Sequence, residues 1–275
     1  MEFFLRTKDH ALTQESFDLQ YDAELEMLQT IPKPTEIEKY YQDEAYISHT
    51  DGNQTALEKI YQLVKQYNQK KKASWIQQYA KQNAKVLDVG AGTGSLIKYL
   101  QDQGWQAEGV EPNKKAQNIA KDKGVDLKSS LQDVEENDFD VITLWHVLEH
   151  LPDLDKDISD ISKKLRSKGV VFIAVPNFRS YDAQHYGSYW AAYDVPRHCW
   201  HFSQHSIQTI FSRKGFSLLK VKPMIFDAFY IARLSEKYKK GNNQLLKALW
   251  HGLRSNFHGW RTGEYSSLLY ILQKE

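Results

Sequence analysis

Residues His146 to His150 spell H-x-x-E-H, the pattern of a zinc-protease helix of the inverted type. Chemistry of that kind needs two histidines one turn apart on a stable helix, with a third ligand further along. Here the pattern follows directly on the strand-like run "DFDVITLW". Pro152 comes two residues after it and argues against a helix running on from His146. No metal is therefore expected at these five residues.

A second stretch, "VLDVGAGTGSL", carries a different chemistry. A short apolar strand ends at Asp88 to Gly90, and Gly90, Gly92 and Gly94 lead straight into a helix. In an open parallel sheet, ligands bind outside the carboxyl ends of the strands. Glycines there let a ligand lie against bare backbone, and the helix N-terminus offers free N–H groups. Two nucleotide cofactors use such a loop. The dinucleotide fingerprint is G-x-G-x-x-G, but here the third glycine comes one residue early and Ser95 stands where that fingerprint wants Gly or Ala. An acidic residue at the end of the second strand should grip ribose hydroxyls, and Glu111 in "GVEPN" occupies that place, followed by Pro112.

The elements needed to position these residues alternate along the chain. "KVLDVG", "QAEGVEP", "VDLKSS", "DFDVITLWHV", "VVFIAVPN", "FSLLKVKP" and "YSSLLYILQK" read as seven strands. Helices read between them at "GSLIKYLQDQG", "NKKAQNIAKDKG", "DLDKDISDISKKLRSKG" and "SQHSIQTIFSRKG". Strands alternating with helices of this length imply parallel pairing and right-handed crossovers. The last strand follows another strand region across a helical insertion, which suits an antiparallel placement. Residues 1–72 read as an N-terminal extension of a few short strands or turns plus a leading helix from about Asn53 to Gln82, and 73–275 as the main domain. Within it, 224–263 form the insertion, where Leu245, Leu246, Leu249, Trp250, Leu253, Phe257 and Trp260 recur at helical spacing. That pattern fits a helix packed on the core; a lid, a dimer face and an interfacial helix for lipid-like substrates are the alternatives. From Tyr181 to Phe202, seven aromatics and three histidines crowd into 22 residues, a composition that suits a binding wall or a satellite hydrophobic cluster.

On these motifs the sequence resembles the class I S-adenosylmethionine-dependent methyltransferases, and within them the small-molecule branch that includes the ubiquinone-biosynthesis O-methyltransferases. "VLDVGAGTGSL", "GVEP", "FDVITLWHVLEHLPD", "VPN" and "DVPRHCWHFS" carry the resemblance. It implies a Rossmann-like, doubly wound α/β fold with seven strands, the last antiparallel. It implies S-adenosyl-L-methionine as cofactor and S-adenosyl-L-homocysteine as product. By carry-over, Asp88 leads the loop, Gly90, Gly92 and Gly94 face the methionine half, and Glu111 holds the ribose. Leu131 and Gln132 lie near the adenine; many relatives carry an Asp at the Leu131 position, so Gln132 or Asp133 inherits that job. Trp145 and His146 sit beside the cofactor, with Glu149 and His150 at the rim. Tyr46 is a candidate to close over the cofactor from the N-terminal side. Asn177, Tyr193, Arg197 and His201 are candidate substrate-binding residues, Arg197 as a partner for an anionic group.

The expected reaction is methyl transfer to a small-molecule acceptor, a hydroxyl in the first instance. Imidazole has the right basicity to take up a hydroxyl proton, so His150, then His146 and His198, are the candidate catalytic residues. Cys199 is read as a packing residue. The alternatives are a nicotinamide-dependent oxidoreductase on a related fold and a non-catalytic nucleotide-binding protein. With 36 Lys plus Arg against 35 Asp plus Glu, no global field recruits nucleic acid. The sequence also lacks an Asn-Pro-Pro-aromatic motif after the fourth strand. A single cysteine and no apolar run of membrane-spanning length suggest a cytoplasmic protein, with peripheral membrane contact open, acting as monomer or homodimer.

Overall fold

The computed structural model describes residues 1–41, 67–81, 83–242 and 244–275. Tyr46 and most of the leading helix lie outside the described residues; residues 67–76 are helical. Among the described residues, ten strands form two sheets. The larger has the order β5-β4-β6-β7-β10-β9, built from β4 (Lys85–Val89), β5 (Gln106–Val110), β6 (Phe139–Trp145), β7 (Leu165–Pro176), β9 (Phe216–Pro223) and β10 (Ser267–Lys274). The smaller has the order β1-β2-β3-β8, from β1 (Glu2–Lys8), β2 (Ser16–Asp22), β3 (Met27–Ile31) and β8 (Trp200–His201).

The larger sheet has six strands, not the seven expected. "VDLKSS" contributes a single parallel bridge, Lys128 with Val110. Lys128 N–H donates to Gly109 and its carbonyl accepts from Glu111, both at 2.9 Å. The chain then turns at once, because Ser130 caps a short 3-10 helix, Leu131–Asp133, through a reciprocal box with Asp133. β4 pairs in parallel with β5 and with β6. The last strand runs antiparallel to β7: Asn177 N–H, just past the end of β7, donates to Ser266 at the start of β10, while Gln273 near the end of β10 donates to Lys168 near the start of β7.

By contacts the chain divides into two compact units. One holds the described residues of 43–145 with Asp155–Phe172 and Gln273–Glu275. Its strands β4 and β6 are apolar on both faces, with Val86, Leu87, Val141, Ile142 and Leu144 fully buried, as parallel strands covered by helices require. Helix α1 (Ser95–Asp102) follows β4 and buries Leu96, Ile97 and Leu100. Helix α2 (Lys114–Asp122) starts at Asn113, whose side chain accepts from Lys115 and Ala116. Helix α3 (Leu154–Lys164) ends where β7 begins, five residues earlier than the strand expected at Val170.

The other unit holds Met1–Gln42, His146–Leu154 and Ile173–Leu272. The N-terminal strands therefore fold with the C-terminal half of the chain. Phe17, Leu19 and Leu28 share a core with Tyr186, Trp190, Tyr193 and Val195 of the aromatic stretch. Helices α4 (Tyr181–Tyr186), α5 (Gln204–Ser212), α6 (Asp227–Lys240) and α7 (Leu245–Thr262) complete it. The insertion is helical as expected, but α7 buries the opposite face. Its inner side is small: Ala248, Gly252, Ser255 and Gly259. A Cβ on Gly252 would stand 2.5 Å from the Phe229 ring, so glycine there permits close helix packing. The large apolar residues point outward, Leu246 being 84 % and Trp260 74 % exposed. Among the described residues, no helix is long and apolar enough to cross a membrane.

Candidate active site

The glycine loop leaves the carboxyl end of β4 and enters α1. Gly90, Gly92 and Gly94 have φ of 72°, 54° and 66°, the left-handed region that favours glycine. Among the described residues, a Cβ on Gly92 would meet nothing within 4 Å, so there is open space at this point of the loop. The N-cap of α1 is Gly94, with no side-chain cap, so the first-turn N–H groups have no capping side chain. At the end of the neighbouring β5, Glu111 reaches back over the loop. Its Oε2 accepts from Gly92 N–H and its Oε1 from Asn113 N–H, both at 2.9 Å. Gly90 and Ala91 N–H both donate to the Val110 carbonyl. Loop and ribose-type acid are thus held to each other by β5.

Asp88 is buried and accepts from Thr143 Oγ1 at 2.5 Å. Burial pushes its carboxyl up to about 6, against the pull of the Thr143 hydroxyl and of Lys72. At the tip of β6, Trp145 stacks on Trp75 at 6.3 Å, and Lys72 Nζ lies 4.3 Å over its ring. The Trp145 indole nitrogen is buried without a hydrogen-bond partner. Pro112 is exposed beside Glu111. Leu131 and Gln132 lie in the 3-10 turn; Gln132 Nε2 points to Asp160 at 3.5 Å, and Asp133 is occupied by Ser130. Among the described residues, the open space at Gly92, the helix start without a side-chain cap and the neighbouring Glu111 carboxylate suit an adenosyl amino acid.

The histidines stand in the other unit. His146 follows β6 and has a φ of 58°, rare for a side chain larger than glycine. The next turn is a short 3-10 helix, Leu148–His150, so the two histidines of H-x-x-E-H do not share an α-helical face. His146 Nε2 lies 3.0 Å from Asp227 of α6 and Nδ1 lies 3.5 Å from Glu149. Burial alone would lower its pKa, but the two carboxylates outweigh it and lift His146 to about 10. Glu149 is 1 % exposed and neither carboxylate oxygen has a hydrogen-bond partner. Burial would raise its pKa, yet the surrounding imidazoles, His146 first, hold it below the usual carboxylate range. His150 Nδ1 lies 3.0 Å from the Arg197 carbonyl and 3.2 Å from the Tyr41 hydroxyl. Burial, and then His198, push His150 down to about 4, so its ring is neutral. The His150 and His198 rings meet edge to face at 4.5 Å.

The other expected substrate residues face inward. Arg197 makes four hydrogen bonds, two to Asp194 and one each to Asp9 and the Tyr40 carbonyl, and is 6 % exposed. Its guanidinium braces the fold instead of pointing outward as an anion hook. His201 lies in β8 and meets Thr30 Oγ1 at 3.0 Å. Tyr193 is buried in the aromatic core against Trp190 and His201, and burial raises its pKa. Asn177 shapes the turn after β7, donating to Glu264 and Tyr265 and accepting from Arg179. Cys199 is buried, and its N–H donates to the Glu149 carbonyl at 2.8 Å. Asp227, Tyr41 and Asp194 were not singled out by sequence; the partners of the first two, His146 and His150, are distant in the chain.

Residues 64–221 match the family model described as a methyltransferase domain, more than half of the chain. This chain belongs to the methyltransferase family. The match decides against the nicotinamide reading that the glycine spacing already disfavoured. Curated relatives include the ubiquinone biosynthesis O-methyltransferase of Pelagibacter ubique, 32% identical over 103 residues, 34% of this chain and 43% of that protein. The Erwinia tasmaniensis enzyme of the same name is 33% identical over 118 residues, 38% of this chain and 49% of that protein. The matched part therefore spans less than half of either relative. Among solved structures, magnesium protoporphyrin IX methyltransferase from Synechocystis superposes with a TM-score of 0.58 at 14% identity, covering 88% of this chain and 100% of that one. A SAM-dependent methyltransferase from Archaeoglobus fulgidus gives 0.53 at 18% identity, covering 76% and 94%. Likeness at such identity shows the fold of this methyltransferase, not its substrate.

Proposed function

We propose that this methyltransferase O-methylates a small molecule, taking the proton of an acceptor hydroxyl at His150. The observation that carries this is the state of that ring. With Nδ1 engaged by the Arg197 carbonyl, the lone pair falls on Nε2. Bound S-adenosylmethionine supplies a methyl group on a sulfonium that leaves as a neutral thioether. The chain's own contribution is alignment, worth on the order of 7–11 kcal/mol in well-oriented systems, and a proton acceptor, worth about 10²–10⁴-fold. Gly90, Gly92, Gly94 and Glu111 bind and orient the donor; Asp88 and Thr143 hold the loop's strand; Trp145 walls its end. The names of the curated relatives support a hydroxyl acceptor.

The test is an S-adenosylhomocysteine-release assay over a panel of phenols, catechols and aliphatic alcohols. His150→Ala should lower turnover by about 100-fold or more on any accepted hydroxyl, with S-adenosylhomocysteine affinity unchanged. An equal loss of cofactor affinity would sink the assignment. Turnover on amines alone would sink the hydroxyl reading.

A further inference from the structure

We propose that Glu149, His150 and His198 form a binding site for one divalent first-row metal cation, with zinc as the reference ion. One ligand atom from each lies within 4.8 Å of the others, and no ion is present. The donor set, two imidazoles and a carboxylate, is that of catalytic zinc sites that keep a position open. Such ligands sit roughly 3.3–3.5 Å apart around zinc bonds of about 2.0–2.2 Å, so closure needs side-chain movements of about 1 Å.

Three observations point to a ligand beyond mere proximity. Glu149 is a buried carboxyl whose two oxygens accept no hydrogen bond among the described residues, an arrangement that costs free energy unless a partner completes it. Both histidines turn Nδ1 to a backbone carbonyl: His150 to Arg197 at 3.0 Å and His198 to Ala192 at 2.9 Å. That is the outer contact metal-bound histidines use to fix the tautomer, leaving Nε2 as the ligand atom. The two segments that carry the ligands are also fastened together. Cys199 N–H donates to Glu149 O at 2.8 Å and Trp200 Nε1 to Leu151 O at 2.8 Å.

The competing partner for Glu149 is His146, whose Nδ1 comes to 3.5 Å without hydrogen-bond geometry and whose Nε2 lies 3.0 Å from Asp227 Oδ2, likewise without it. It offsets charge but fills neither lone-pair direction. Arg197 does not repel a cation strongly here, since Asp194 and Asp9 neutralise it. A second cluster, His185, Glu236 and His251, is less suited: His185 is exposed, Glu236 already accepts from Tyr186, and Lys239 and Arg254 lie near.

The consequence rests on the methyltransferase reading above: a cation with an open position would hold an acceptor oxygen and ease its deprotonation, making His150 a ligand in that state. The site itself is tested without any acceptor. The full chain, stripped with a chelator and dialysed, is titrated calorimetrically with ZnCl2, and bound metal is counted by elemental analysis. One equivalent should bind with a Kd of about 1 µM or tighter, and Glu149→Gln and His198→Gln should weaken it about 100-fold or more. Circular dichroism confirms the fold, and the thermal shift with S-adenosylhomocysteine reads the donor site separately. If Glu149→Gln does not fold, cobalt on the wild-type chain decides, through the visible bands of a nitrogen-ligated four-coordinate ion. Zinc affinity no tighter than about 1 mM, absence of those bands, unchanged affinity in folded Glu149→Gln, or binding lost only in His251→Ala would each overturn the proposal.

Discussion

Gly109→Ala tests how the sheet holds the donor loop. Gly109 lies in β5, one residue before the carbonyl that accepts from both Gly90 and Ala91. A Cβ there would stand 2.1 Å from Ile97 Cδ1, 2.9 Å from Ala91 Cβ and 2.9 Å from Leu127 Cδ2. The Ile97 contact can relax, because a terminal methyl can swing. The Ala91 contact cannot, because that Cβ is fixed to the loop backbone. Overpacking of this kind costs about 1–3 kcal/mol. At about 2–4 °C per kcal/mol for a chain somewhat smaller than this one, a loss near 2 kcal/mol lowers Tm by roughly 4–8 °C. Because the strain falls on the loop, S-adenosylhomocysteine should also bind about tenfold more weakly, or about 1.4 kcal/mol. Differential scanning fluorimetry with and without ligand reads both. Adding Ile97→Val removes the 2.1 Å clash and should restore part of Tm but little of the affinity. A Gly109→Ala protein that melts within about 1 °C of wild type and binds normally would refute the reasoning.

Asp88→Asn should stabilise the apo protein increasingly as pH rises from about 4 to 7. Burial raises the folded pKa from 3.8 to about 6, so the wild-type carboxylate is favoured as the neutral acid and its ionisation above the unfolded pKa costs stability, up to roughly 3 kcal/mol; urea melts at pH 4.5 and 7.5 check this, and an equal gain at both would contradict it. Arg197→Met removes the cation shared by Asp9 and Asp194, Asp9 being 1 % exposed and keeping only its turn hydrogen bonds from residues 11–13, and should cost about 3–5 kcal/mol; a Tm drop under about 4 °C would contradict it. Gly252→Val should cost at least about 1–3 kcal/mol against Phe229, whereas Leu246→Gln on the exposed face should stay within about 0.5 kcal/mol. Equal effects would show that α7 packs by its large side chains after all.

The glycine loop and Glu111 were legible in the sequence because their geometry is local: a strand, a turn and a helix start within some 25 residues. The run "VDLKSS", third of the seven expected strands, was over-read because a capping pair, Ser130 and Asp133, ends it after one bridge. The N-terminal strands were only vaguely visible, since their last partner is Trp200–His201, far along the chain. The same distance hid the role of Arg197, whose partner Asp9 is 188 residues away. Periodicity placed a helix over Leu245–Thr262 but not its inward face, because small residues, which carry no hydropathy signal, do the packing. Glu149 could not be chosen by its letter alone; what marks it is that, among the described residues, neither carboxylate oxygen accepts a hydrogen bond.

His146 bears on how such a protein can change over time. Its φ of 58° would suit glycine or asparagine better than histidine. A mutation at this position toward either would relax the backbone while discarding the ring that bridges Asp227 and Glu149. Selection for robustness alone would therefore drift away from histidine here. Its presence marks a place where conformational ease and the local charge arrangement pull the lineage in opposite directions.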